Sequence, residues 1–150
     1  YWSPVTSNFL QAQSAEFATV NVTSGLTVTG AATFNSAIVV NGHIVTGGGA
    51  PNYTVGAAAG AGATIAVEGN DTAGTITVTT GSGVTAGSLA DLVFSHQYGK
   101  SPRVIISGQD DASVSARVYP GAKSLSGFSL STAQTLAPNT TYTFDYFIVE

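Results

Sequence analysis

From Phe17 to Val67 the chain carries no Lys, Arg, Asp or Glu, yet Thr, Asn, Ser and Gly interrupt its apolar residues every few positions. A bilayer-spanning helix needs about 20 predominantly apolar residues in succession, and no such run occurs here. Within the segment, Gly25-Leu26-Thr27-Val28-Thr29-Gly30 recurs twelve positions on as Ala37-Ile38-Val39-Val40-Asn41-Gly42. Each copy reads as a short strand of period two closed by glycine, and Ala31 to Ser36 between them adds one aromatic residue and a turn. Phe17 to Val22 looks like a degenerate earlier copy. A unit of about a dozen residues does not bury its own apolar face, so such repeats stack on one another or on identical chains. An ordinary β-meander with coincidental spacing is the alternative.

Composition narrows the remaining classes. Only 8% of the 150 residues are charged, against about 25% in a typical soluble domain, and Val, Ile and Thr are plentiful, which points to β-structure. The absence of cysteine removes disulfide frameworks, thiolate metal sites and cysteine nucleophiles. With a net charge of −4 and four cations in all, the chain lacks the clustered positive face that phosphate binding needs, so no nucleic-acid partner is expected. Membrane insertion is not expected either. There is no methionine, Tyr1 is not a natural start, and no cationic segment followed by an apolar run opens the chain. The expectation is a processed product or a piece of something longer. Ser7 to Ser14 reads as either a short capped helix or one more irregular repeat.

Gly47-Gly48-Gly49-Ala50-Pro51 is the clearest break, because glycine permits unusual dihedrals and Pro51 has no N–H for a ladder. Three regions follow: a β-repeat stalk over 1–50, a Gly/Ala-rich linker over 51–62, and a β-sandwich or jelly-roll-like tip over 63–150. The glycine triplet is expected to give the tip freedom relative to the stalk. Strands are expected at Thr64 to Val67, Thr75 to Thr79, Leu89 to Phe94, Val104 to Ser107, Val114 to Tyr119, Phe128 to Leu130 and Tyr142 to Val149. The last is the most apolar and should be central. Asn70-Asp71-Thr72 reads as a turn whose side chains bond nearby backbone groups, in preference to a calcium loop.

The repeat, the glycine-rich break, and the runs Asn70-Asp71-Thr72-Ala73-Gly74-Thr75-Ile76-Thr77-Val78, Phe94-Ser95-His96-Gln97-Tyr98-Gly99-Lys100-Ser101-Pro102 and Tyr142 to Glu150 together resemble the distal part of phage tail-fibre-like and related bacterial surface fibre proteins. The resemblance covers most of the chain. It implies a homotrimer with an intertwined β stalk joined to an upstream fibre segment, and a tip adhering to a cell-surface glycan or protein, on a virion or at a cell surface. No binding residues carry over from it.

All four cations, Lys100, Arg103, Arg117 and Lys123, fall between positions 100 and 123 beside Asp110 and Asp111, giving this window +2 and the rest of the chain −6. Concentrated charge marks loops presented to solvent or a partner, and Tyr98, Gln109 and Tyr119 add groups suited to a sugar ring. The loops 97–102, 108–113 and 119–126 are therefore expected to form one receptor patch containing Tyr98, Lys100, Gln109, Asp110, Asp111, Arg117, Tyr119 and Lys123. No catalytic residues, cofactor or metal are expected. Glycoside hydrolysis needs two carboxylates across a scissile bond; adjacent Asp110 and Asp111 fit badly, whereas Asp91 and Asp145 have room to converge. No Gly-x-Ser-x-Gly elbow appears, and a lone His43 is weak grounds for a metal on a three-fold axis. The alternatives to attachment are a self-assembling subunit of a bacterial filament or layer and, further off, a polysaccharide-degrading enzyme.

Overall fold

A computed structural model describes residues 16–150; Ser7 to Ser14 lies outside them. Contacts divide the chain into two units, Tyr1–Asn41 and Gly42–Glu150. In the described part of the first unit the expected strands do not form: residues 16–41 contain only bends and irregular backbone, and all are exposed. A strand exists only as one side of a ladder, and the described residues of this unit form no ladder.

The second unit is all-β. Strands β1 (Asn52–Val55), β2 (Thr64–Gly69), β3 (Ala73–Thr79), β4 (Gly87–Val93) and β5 (Arg103–Gly108) precede one short helix, α1 (Asp111–Ser115), and β6 (Val118–Ser124), β7 (Gly127–Thr132) and β8 (Thr141–Val149) follow it. They form two antiparallel four-stranded sheets, ordered β1-β4-β7-β6 and β2-β3-β8-β5. The alternation in β8 puts Tyr142, Phe144, Tyr146 and Ile148 inward and leaves Thr141, Asp145, Phe147 and Val149 exposed. These four meet Ile76 and Val78 of β3, Leu92 of β4, and Phe128 and Leu130 of β7 in one core. Phe128 bridges the sheets, with ring centroids 6.0 Å from Phe94 and 6.2 Å from Tyr146. The apolar terminal strand lies inside its sheet, between β3 and β5.

Two segments differ from the sequence-based expectation. The 51–62 stretch is part of the sandwich: β1 pairs with β4, and a 3-10 turn at Ala57–Ala59 buries Ala58 and Ala59. Only small residues fit there, since a Cβ on Gly56 would run into the Ser88 carbonyl. The expected strand at Val114 to Tyr119 begins instead as α1. Asp110 accepts from the Ser113 backbone N–H at 2.7 Å, and a capped first turn outweighs a few residues of apolar alternation. Val114 is left 65% exposed, while the buried Ser113 hydroxyl accepts from the Thr143 N–H at 2.8 Å and pins the helix to β8.

Asn70 organises one end of the sandwich. Its Oδ1 accepts from Thr72 N at 2.9 Å and Ala73 N at 3.1 Å, closing the β2–β3 turn as expected. Its Nδ2 donates to the Thr46 carbonyl at 2.8 Å and Thr46 Oγ1 at 2.9 Å, and its own carbonyl receives the Tyr146 hydroxyl at 2.6 Å. Gly74 makes room for that phenol, whose oxygen would lie 2.6 Å from any Cβ there. Thr46 is thus held to the fold and Pro51 is buried, so the glycine triplet between them is anchored to the second unit at both ends.

Burial first, and then the Asp71 charge and Tyr98, push the Tyr146 phenol up to about 12 from an ordinary 10.0. A folded state that holds the neutral phenol is unaffected below pH 10 and loses stability as pH rises from about 10 toward 12. Urea unfolding across that range should show this decline, and Tyr146→Phe should flatten it. Asn70→Ala, which removes four hydrogen bonds at a buried turn, should cost about 2 kcal/mol or more at neutral pH in the same assay.

Candidate functional site

The sandwich has an entry end, where residues 42–51 lead into β1, and a far end. At the entry end lie the β2–β3 turn, the loop 94–102, the β6–β7 hairpin and Glu150; at the far end lie the 3-10 turn, α1 and the loops 80–86 and 133–140. The expected patch is divided between them. Tyr98 and Lys100 sit in the entry-end loop, with Lys123 on β6 near the same end, whereas Gln109, Asp110, Asp111 and Arg117 lie at the far end and Tyr119 lies on β6 toward it. The cause is β5: its six residues at about 3.3 Å each put roughly 20 Å between the loops 97–102 and 108–113. Residues 119–124 are strand, not loop.

Several of these side chains serve the fold. Tyr98 packs edge-on against Phe94 with centroids 5.0 Å apart and donates to the Asp71 carbonyl at 2.8 Å. Burial pushes its phenol up, the Thr72 side chain opposes that, and the Asp71 and Glu150 charges add to it. Asp110 caps α1, and the backbone N–H and hydroxyl of Ser113 hold its carboxyl below the usual value. Gln109 Nε2 donates to Asp145 Oδ1 at 2.7 Å. Arg117 is exposed and has a positive φ of 50°, as the chain turns from α1 into β6. Lys100, Asp111, Tyr119 and Lys123 are exposed.

The carboxylates do not converge. Asp91 projects from the outer face of β4 in one sheet and Asp145 from the outer face of β8 in the other, so the thickness of the sandwich separates them. A cluster that sequence reasoning missed joins Asp71, Ser95 and His96. Asp71 accepts from Ser95 N at 2.9 Å, Ser95 Oγ at 2.6 Å and His96 N at 2.8 Å, and Ser95 Oγ is 3.2 Å from His96 Nδ1. Here the hydroxyl proton goes to the carboxylate. A hydrolytic serine needs the imidazole as its acceptor and the carboxylate behind the imidazole, so this arrangement pins the 94–102 loop to the β2–β3 turn. Adjacent Ser95-His96 and a distant Asp71 carry no spacing that announces the contact. Among the described residues no three His, Cys, Asp or Glu gather as metal ligands, and His43 is exposed.

Four shallow cavities line the second unit. One, of about 240 Å³, lies on the outer face of the β1-β4-β7-β6 sheet and is lined in part by Asp91, Lys123, Ser124, Ser126 and Ser129. Another, of about 250 Å³, lies over the Asp71 cluster. No known family, curated protein or solved structure matches this chain. Asp71→Ala should speed amide hydrogen exchange at Ser95 and His96 about tenfold or more, the equivalent of one charge-assisted bond, while leaving the β8 amides protected.

Proposed function

We propose that this chain is the distal, non-catalytic attachment module of a fibre in which three copies wind residues 17–45 together and present three sandwiches to a cell-surface glycan or protein. The observation that carries the reading is the apolar surface left open by residues 17–45. Leu26 is 73% exposed, Val39 81% and Val45 88%, and Phe17, Val20, Val28, Phe34 and Ile38 are all more than half exposed. Burying one such side chain is worth about 1.5–3 kcal/mol, so partial burial of this set is worth on the order of 10 kcal/mol per chain. That is comparable with the roughly 4–15 kcal/mol that association costs in lost freedom. Identical copies offer the matching period-two edge and face, and closure about an axis leaves no edge unpaired.

The remaining features favour binding over catalysis. Asp91 and Asp145 are separated, the Asp71 carboxylate is occupied by two backbone N–H groups and the Ser95 hydroxyl, and the cavities are shallow. Weak sites on three tips gain about 10²–10⁴ in avidity when they meet one surface. The setting is a virion tail fibre or a bacterial surface fibre.

The test is adherence of the fluorescently labelled chain to intact bacteria of a broad panel, beside the double variant Val28→Asp/Val40→Asp. The parent should adhere to some strains, and the variant should sediment as a single chain whose sandwich still unfolds cooperatively and adhere about 100-fold more weakly. Equal adherence by both, or none by the parent, contradicts the reading.

A further inference from the structure

The cavity on the outer face of the β1-β4-β7-β6 sheet is built differently from the other three. It lies over β7, with β4 forming one wall and β6 the other. Strand spacing makes those walls about 10 Å apart. Glycine keeps part of the floor bare: a Cβ on Gly127 would run into the Leu92 carbonyl. The irregularity between Pro120 and Lys123 interrupts the β6–β7 ladder along one wall and brings Lys123 to the cavity's rim.

The lining is chemically dense for a chain with so little charge. Asp91 stands opposite Ser129 across the β4–β7 ladder. The Ser88 hydroxyl donates to its Oδ1 at 3.0 Å, and the Asp91 side chain is exposed. Ser124 and Ser126 exchange a hydroxyl contact at 3.2 Å at the hairpin that closes the entry end. Outside the lining but on the same sheet, Tyr119, 46% exposed, pairs with Ser131, two residues along β7 from Ser129. The volume of about 240 Å³ lies just below the roughly 300–1,000 Å³ that encloses whole drug-sized ligands. One ring fits, with the rest of a polymer continuing outside.

We infer that this cleft is a subsite for one sugar residue of a surface glycan, with the Asp91 carboxylate accepting from vicinal hydroxyls, the Ser124, Ser126 and Ser129 hydroxyls completing the polar contacts, Lys123 donating to a ring or acidic oxygen, and Tyr119 lying against an apolar ring face. An aromatic face beside a fixed carboxylate and several hydroxyls matches a sugar's alternation of C–H faces and equatorial hydroxyls. The inference rests on the attachment reading and commits it to a glycan and to one face of one sheet.

The experiment is a titration of the isotopically labelled full chain with methyl glycosides of mannose, galactose, glucose and glucuronic acid, followed by amide shifts. Strains to which the chain adheres are scored in parallel. Shifts confined to Asp91, Lys123 to Ser129 and Tyr119, together with about tenfold or greater weakening in Asp91→Asn and none in Glu68→Gln on the other sheet, are the expected result. Shifts at the far-end loops or over the Asp71 cluster overturn this site and leave the attachment reading standing. Adherence to cells with no shift from any glycoside overturns the glycan assignment in favour of a protein receptor. Neither shift nor adherence overturns both.

Discussion

The hydrogen bond from the Tyr146 hydroxyl to the Asn70 carbonyl, 2.6 Å long and buried, is the contact on which the rest of the sandwich's entry end depends. It ties the central strand of one sheet to the β2–β3 turn, and that turn in turn holds everything that arrives there. The Asn70 amide fixes the incoming chain at Thr46, and the Asp71 carboxylate fixes the loop that crosses to the other sheet at Ser95 and His96. In a chain with 8% charged residues, neutral side-chain-to-backbone bonds do the work that ion pairs do elsewhere. Thr80 and Thr132 do the same at the far end, bonding the Ala137, Thr140, Ala116 and Gln134 carbonyls. Such bonds satisfy polar groups that would otherwise be buried at a cost of about 1–3 kcal/mol each.

Much of the sandwich was legible in the sequence because it is a consequence of period two. Ile76 and Val78 alternate with threonines, and Tyr142 to Ile148 alternate with Thr143, Asp145 and Phe147. Those patterns carry both strand positions and facing. The Asn70 turn was legible because asparagine closes turns by a known local bond. What escaped had local or three-dimensional causes. Asp110 started a helix where apolar spacing suggested a strand. The alanines at 57–59 looked like linker because their value lies in being small at a crowded contact. The receptor patch failed as a single site because charge density along a sequence says nothing about which end of a strand each loop occupies, and β5 carries the chain from one end to the other. Two of its members, Tyr119 and Lys123, share strand β6, and Lys123 borders the cavity that Asp91 lines on a face created by the order β4-β7-β6.

The two units of the chain behave oppositely under the same physics. Gly42–Glu150 closes its core, with Ile76, Val78, Leu89, Ala90 and Leu130 at 0% exposure. The described residues of Tyr1–Asn41 leave comparable side chains open and form no ladder. Burial of those open apolar side chains and backbone groups by identical copies is the premise of the proposed assembly. On the proposed reading, assembly is a property of residues 17–45 and recognition a property of the sandwich.

The most direct test of that division is the native mass of the unmodified chain by mass spectrometry from dilute solution, repeated after mild heating in detergent. A species of about 45 kDa, three times the 15.0 kDa chain, that survives the treatment is the predicted result. A stable 15.0 kDa species before any treatment would contradict it, because the apolar residues of 17–45 would then have no partner at all.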